Sequence, residues 1–230
     1  MFKKFNEYYN IINEGVYDKH IFKVIFLSGG TGSGKSFISK NTLEGLGLKV
    51  VNSDIAFTYL MDKANISLKL NTISKDDYVK AMAIRNRAKE LTEKQFNLYI
   101  DGRLGLIIDG TGRDYDKVSE SVSVLRSLGY DCYMLFVNTT LEVALARNAK
   151  RDRTVAPELA VEFWKQAHAN IGKFQNLFGA KNFILVDNSG DADNRVFTAV
   201  HKEVKKLLSE PVENYIAKQW IKDQINLKQK

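Results

Sequence analysis

Residues 29–36 read Gly29-Gly30-Thr31-Gly32-Ser33-Gly34-Lys35-Ser36, between an apolar run and a stretch that is typical of a helix. Glycines let the backbone turn its N–H groups toward one point, and a following helix adds the positive end of its dipole. That point suits a β-phosphate, with Lys35 reaching the β- and γ-phosphates and Ser36 coordinating a bridging Mg²⁺. The pattern therefore predicts a nucleoside triphosphate site, although it does not separate kinases from motor or switch proteins. The predicted binding residues are Gly30, Thr31, Gly32, Ser33, Gly34, Lys35 and Ser36.

The apolar runs of the chain predict the strands on either side of this loop. They are short, rich in β-branched or aromatic residues, and separated by stretches typical of helices. Runs that are apolar on both faces and alternate with helices indicate a parallel sheet covered on two sides, which is the α/β class. We therefore expect about five parallel strands with helices on both faces. The predicted strands are Ile21 to Leu27, Leu48 to Val51, Leu104 to Ile108, Tyr130 to Val137 and Phe183 to Val186.

A helical insertion is predicted after the second strand, from Ile55 to Gly102. It is long enough to form a wall of a substrate site. One of its helices is expected to start at Ser74, where Ser-Lys-Asp-Asp resembles a capping box. The side chains that this helix is expected to turn inward are Tyr78, Met82, Ala88 and Leu91.

The two ends of the chain are also expected to be helical. The first 20 residues are predicted to form a helix, and residues 211–230 carry apolar side chains at helical spacing. We interpret the last segment as a helix packed on the body, while a membrane-surface or partner helix stays open as an alternative. The length favours one domain over residues 1–230.

The charge and the composition of the chain limit the kinds of partner and cellular setting that we expect for it. The formal net charge of +7 fits a protein that meets phosphates or nucleic acid, although Lys-rich surfaces serve solubility just as often. The single cysteine, Cys132, lies in an apolar run and is expected to be an inert core thiol. The polar N-terminus and the lack of a long apolar run predict a soluble, cytoplasmic protein without a membrane partner.

Two acids are placed where the ligands of open α/β sheets bind, at the carboxyl ends of strands. Asp54 follows the second predicted strand and could deprotonate a hydroxyl that faces the γ-phosphate. Its alternative role is to cap a helix that starts at Ile55. Asp109 ends the third predicted strand and could support Mg²⁺ through water, or could belong to a simple turn. Thr111 and Arg113, just beyond it, are expected to face the acceptor.

A basic segment follows a predicted helix that begins at Leu141. Arg147 and Arg151 are four residues apart and would share a helical face. Paired guanidinium groups can grip phosphate oxygens and offset charge in a transition state, as a lid closing over a triphosphate would. The alternative is an ordinary solvated charge run.

These features together resemble the polynucleotide-kinase and zeta-toxin branch of the P-loop kinases. Ile107 to Arg113 is similar to the zeta-toxin turn, in which Glu or Asp precedes Gly-Thr and an Arg follows. Arg147 to Pro157 is similar to the lid of phage-type polynucleotide kinases. The resemblance implies a kinase-like P-loop NTPase fold with ATP and Mg²⁺ as cofactors. It also implies roles for single residues, namely Asp54 as general base, Lys35 and Ser36 serving ATP and Mg²⁺, and Arg147 and Arg151 as lid arginines.

The acceptor is left open by this resemblance. Phage-type polynucleotide kinases keep arginines beside and shortly after the base to hold the substrate's own phosphate, where this chain has Ser53 and Phe57. A kinase of a nucleic-acid or nucleotide hydroxyl is the first hypothesis. A kinase of a nucleotide sugar or another small molecule is the second, and a nucleotide-dependent binding or switch protein is the third. The insertion residues that could replace the missing arginines are Tyr59, Lys63, Arg85, Arg87 and Lys89.

Overall fold

The structure is a computed structural model that describes residues 15–70, 72–151, 154–190 and 194–228. Its strands form one sheet in the order β2-β3-β1-β4-β5, and every neighbouring pair is parallel. All five predicted strands are confirmed, with ends that differ by at most two residues. They are β1 (Lys23–Ser28), β2 (Lys49–Val51), β3 (Leu106–Asp109), β4 (Asp131–Asn138) and β5 (Phe183–Asp187).

Helices cover both faces of this sheet, as the apolar strands require. Side chains alternate along β1, so that Val24 and Phe26 pack in one apolar layer and Ile25 and Leu27 in the opposite one. The helices described are α1 (Lys35–Thr42), α2 (Ser53–Lys63), α3 (Lys75–Asp101), α4 (Tyr115–Ser127), α5 (Leu141–Ala149), α6 (Pro157–Ala169), α7 (Ile171–Phe178), α8 (Asn194–Ser209) and α9 (Tyr215–Lys228). The first layer contains residues of α4, α7 and α9, and the second contains residues of α1 and α8.

The predicted insertion is the pair α2 and α3, which has an apolar cluster of its own. The start of α3 is confirmed, because the Ser74 side chain accepts a hydrogen bond from the Asp77 N–H at 3.1 Å. The predicted inner face is partly wrong, since Tyr78 and Leu91 are exposed. Ala88 is buried and Met82 partly buried, as predicted, and Ala81 is buried as well, so that small side chains let the two helices approach closely. The buried residues of the cluster are Phe57, Met61, Ala81 and Ala88.

The described residues at each end of the chain depart in part from the predicted helices. Residues 15–17 form a single 3-10 turn and 18–20 are not helical, while residues 1–14 lie outside the described chain. At the other end α9 starts at Tyr215 rather than at Pro211. The Asp131 carboxylate accepts hydrogen bonds from the backbone N–H groups of Glu213 and Asn214, at 2.8 and 3.0 Å, and holds them as a loop. Residues 229–230 are outside the described chain.

Within the described residues, no helix is both long and apolar enough to cross a membrane.

Cys132 is buried in β4, as the apolar run predicts. Burial raises the pKa of its thiol to about 12, so that the reactive thiolate is scarce at neutral pH. We expect the native protein to resist 5,5′-dithiobis(2-nitrobenzoic acid) at pH 8, and one thiol per chain to react after unfolding in guanidinium chloride. Fast stoichiometric labelling of the native protein would contradict this burial.

Candidate active site

The predicted phosphate loop lies between the end of β1 and the start of α1. Gly32 and Gly34 have φ values of 77° and 87°, which side chains disfavour. A Cβ atom at Gly32 would stand 2.2 Å from the Ala144 carbonyl oxygen of α5. One at Gly34 would stand 2.3 Å from Nδ2 of Asn188. Both glycines are therefore required by conformation and by space, and the loop is a closely packed backbone cradle at a helix N-terminus.

The Lys35 ammonium interacts with most of the charged residues that the sequence assigns to the site. Its Nζ donates a hydrogen bond to the Gly29 carbonyl at 2.7 Å, across the base of the loop. Burial lowers the pKa of this ammonium, and the nearby Asp109 carboxylate opposes that shift. Smaller effects come from Arg151, Arg113 and Asp54. The fold therefore gathers both predicted acids and two of the predicted arginines around the ammonium that is expected to bind phosphates.

The two acids are linked by Asn52, which follows β2. Its Nδ2 donates to Oδ2 of Asp109 at 2.7 Å, and its Oδ1 accepts from the Asp54 N–H at 2.8 Å. The helix therefore starts at Ser53 with Asn52 as its cap, and the alternative that Asp54 caps a helix beginning at Ile55 is wrong. Burial raises the pKa of Asp109, and the Lys35 ammonium counteracts this rise.

Asp54 itself lies in the first turn of α2, where its side chain is 52% exposed. An Oδ1 atom of its carboxylate is 4.0 Å from Nη2 of Arg85 on α3. The carboxylate is thus half exposed to solvent, and it is close enough to the phosphate loop to influence the pKa values of Lys35 and Asp109.

The turn after β3 places Thr111 and Arg113 beside a polar groove of 690 Å³. Nε of Arg113 donates to the Thr111 hydroxyl at 3.1 Å, and its guanidinium lies 3.8 Å from the centroid of the Phe163 ring. Buried Asn170 fixes the turn, because its Nδ2 donates to the carbonyls of Gly112 and Arg113 at 3.1 and 2.8 Å. The groove is bordered by both predicted acceptor residues, and their role stays a prediction.

The two predicted lid arginines differ in their surroundings. The prediction that they share a helical face is wrong, because α5 ends at Ala149 and Arg151 lies in the bend beyond it. Arg147 donates through Nη1 to the Asn188 carbonyl at 2.8 Å and through Nη2 to the Gly190 carbonyl at 3.4 Å. Arg151 is exposed and acts on Lys35 through its charge. Asp152 and Arg153 of the same segment are outside the described residues.

Three asparagines and one tryptophan support the site without having been predicted. Asn188 donates through Nδ2 to the Ser33 carbonyl at 2.8 Å. Trp164 of α6 packs near Gly30 and donates through Nε1 to the Thr139 carbonyl at 2.8 Å. Asn52 and Asn170 complete the set. The sequence offers a signal for two of these residues. Asn52 and Asn188 each directly follow a strand at its carboxyl end, which is where the ligands of open α/β sheets bind.

The residues present fit a bound Mg²⁺. Ser36 is exposed in the first turn of α1, and Asp109 offers a carboxylate near Lys35. Hydroxyl and carboxylate oxygens are the donors that Mg²⁺ accepts, together with phosphate oxygens of a nucleotide. No group of three or more His, Cys, Asp or Glu side chains suited to a metal occurs in the part of the chain that is described. The metal would therefore depend on the nucleotide for most of its ligands.

Comparisons with known proteins agree with this fold. The family described as AAA domain (AAA_33) matches residues 24–172. The cytidylate kinase of Sulfolobus acidocaldarius is 25% identical over 156 residues, which are 67% of this chain and 76% of that protein. The structure of AvrRxo1-ORF1:-ORF2 with ATP has a TM-score of 0.57 at 13% identity, over 87% of this chain and 68% of that one. The Pnkp1/Rnl/Hen1 RNA repair complex has a TM-score of 0.50 at 22% identity, over 67% of this chain and 47% of that one. The predicted kinase-like P-loop fold is confirmed.

Proposed function

This chain belongs to the family described as AAA domain (AAA_33), and from that premise we propose that it transfers the γ-phosphate of ATP to a hydroxyl of a nucleic acid or nucleotide. The chain is a phosphotransferase. The observation that carries the proposed reaction is the charge cluster around Lys35, which joins a phosphate loop to a half-exposed carboxylate, Asp54. A switch protein needs the loop, whereas a kinase also needs a group near it that takes the proton of the acceptor hydroxyl.

In the proposed reaction the acceptor hydroxyl donates a hydrogen bond to the Asp54 carboxylate. As its oxygen forms a bond to the γ-phosphorus, the proton passes to Asp54 and the bond to the β,γ-bridging oxygen breaks. ADP leaves with the electron pair of that bond. Lys35 and Arg151 offset the negative charge that moves from the γ-phosphate to ADP.

Ser36 and Asp109 would hold Mg²⁺ in this proposal. When bound, the metal neutralises part of the charge on the β- and γ-phosphate oxygens. Asn52 orients the Asp109 carboxylate through its 2.7 Å hydrogen bond.

The proposed acceptor class has four supports. The chain carries a formal charge of +7, which favours polyanionic partners. One relative is named for a nucleotide, cytidylate. A structural neighbour is part of an RNA repair complex, and the lid segment resembles that of polynucleotide kinases. The zeta-toxin-like turn at Ile107 to Arg113 supports the second candidate, a small hydroxyl compound such as a nucleotide sugar.

The two acceptor classes can be separated by γ-labelled ATP. The enzyme is incubated with a panel of oligonucleotides and nucleotides and with a panel of sugars and nucleotide sugars. We expect label in the first panel. Label that enters only the second would transfer the assignment to the small-molecule class.

Arg151 and Arg147 are expected to affect different steps. Arg151→Ala should lower the rate of transfer on the order of a thousandfold, because its charge acts close to Lys35, where the phosphates are proposed to bind. Arg147→Ala should mainly raise the KM for ATP, because it loosens Asn188 from the phosphate loop. Steady-state kinetics for both variants check this. An equal loss of kcat in the two would contradict the separation and favour a paired lid.

A further inference from the structure

Arg85 is the basic residue that the insertion brings to the proposed general base. It lies in the middle of α3, 31 positions along the chain from Asp54 of α2, and the packing of Phe57 and Met61 against Ala81 and Ala88 brings the two together. Nη2 of Arg85 stands 4.0 Å from Oδ1 of Asp54. The position beside the proposed base is therefore occupied by an arginine that comes from the other helix of the insertion, α3.

The guanidinium of Arg85 is held in place but retains its donors. It lies 5.3 Å from the centroid of the buried Phe57 ring, which fixes its orientation from one side. The contact with Asp54 is longer than a hydrogen bond. Within the described chain no acceptor takes a hydrogen bond from Arg85, and its side chain is 40% exposed. A preoriented guanidinium with free N–H groups is the side chain that recognises phosphate and carboxylate in bidentate fashion.

Two of the other basic candidates of the insertion, Arg87 and Lys63, are engaged elsewhere. Arg87 lies two positions further along α3, on the opposite side of the helix, and pairs with Glu90 at 3.1 Å. Lys63 stands over the ring of Tyr59 at 5.9 Å. Arg85, by contrast, lies 4.0 Å from the carboxylate of the proposed base.

We propose that Arg85 binds an anionic group of the acceptor, so that the substrate carries a phosphate or carboxylate close to the hydroxyl that is phosphorylated. This inference rests on the proposed function of Asp54. A hydroxyl on Asp54 and an anion on Arg85 would be separated by no more than roughly 10 Å, given ordinary hydrogen-bond lengths on both sides. The anion and the hydroxyl then belong to one sugar unit or to neighbouring units of a chain.

The test compares wild type with Arg85→Gln, Arg85→Lys and the matched control Arg87→Gln. Transfer of label is measured on acceptor pairs that differ in one anionic group, namely adenosine 3′-phosphate with adenosine, and gluconate with glucose. Arg85→Gln should raise the KM for the anionic member about 10- to 100-fold and leave the neutral member nearly unchanged. Arg85→Lys should restore part of the loss, and Arg87→Gln should resemble wild type. Equal losses on both members of a pair would overturn the proposal, because they indicate a role in packing or in holding Asp54.

A second arm is independent of the identity of the acceptor. The protein is saturated with Mg²⁺ and a non-hydrolysable ATP analogue, and inorganic phosphate is titrated calorimetrically. Wild type and Arg87→Gln should bind phosphate, and Arg85→Gln should bind it about tenfold more weakly. Equal binding by Arg85→Gln, or none by wild type, would overturn the anion site. If no acceptor takes label while this difference is found, the proposed function fails and the anion site stands.

Discussion

Lys35→Ala is expected to abolish phosphoryl transfer and to weaken ATP binding. The ammonium closes the loop through the Gly29 carbonyl at 2.7 Å and interacts electrostatically with both acids. Without this ammonium the loop keeps its backbone N–H donors. It loses the cation that would stabilise the negative charge of the γ-phosphate during transfer. We expect a fall in kcat on the order of a thousandfold or more.

The matched control for this variant is Lys40→Ala, an exposed lysine in the last turn of the same helix. Lys40→Ala removes one positive charge, as Lys35→Ala does, but Lys40 lies away from the phosphate loop. Label transfer and fluorescence titration with an ATP analogue measure the two effects of Lys35→Ala. A variant that retains transfer within about tenfold of wild type would remove the lysine from the mechanism.

Asp54→Asn is expected to abolish transfer while leaving ATP binding close to that of wild type. The amide has nearly the same shape, so that the first turn of α2 and its cap at Asn52 are preserved. It cannot take the proton of the acceptor, and general bases contribute about 10²- to 10⁴-fold. Nucleotide titration and label transfer on the same sample separate binding from chemistry.

Asp62→Asn, an exposed position on the same helix, is the control for Asp54→Asn. It should retain wild-type transfer. Near wild-type turnover by Asp54→Asn itself would show that the base assignment is wrong, and Asp109 would then be the remaining acid beside Lys35.

The strands and the phosphate loop could be predicted because their signals are local. A run that is apolar on both faces can only be satisfied between two helical layers, and Val24 to Leu27 divides between two layers as the pleat demands. The loop needs glycines at Gly32 and Gly34 because of positive φ and close neighbours, which the motif encodes in its spacing.

Features that depend on tertiary contacts could not be predicted in the same way. Periodicity placed Tyr78 and Leu91 inward on α3, but both are exposed, and Ala81 is buried beside the correctly predicted Ala88 where α2 approaches closely. The helical pairing of Arg147 with Arg151 failed because α5 ends two residues too early for Arg151.

Contacts between residues that are far apart in the sequence position several side chains of the candidate site. Asn188 braces Ser33 across 155 positions of sequence. The approach of Arg85 to Asp54 requires two helices to pack through small side chains. Neither contact can be predicted from a local sequence pattern, because neither depends on the spacing of neighbouring residues.

The central claim is that ATP is consumed for transfer to a hydroxyl rather than for hydrolysis or switching. The most direct test is the ratio of label found in the acceptor to ADP formed, measured in one reaction with γ-labelled ATP and a saturating acceptor from the nucleic-acid and nucleotide panel. We predict a ratio close to one, with both quantities lost together in Asp54→Asn. ADP formed at an undiminished rate, with all the label in inorganic phosphate and unaffected by Asp54→Asn, would contradict it.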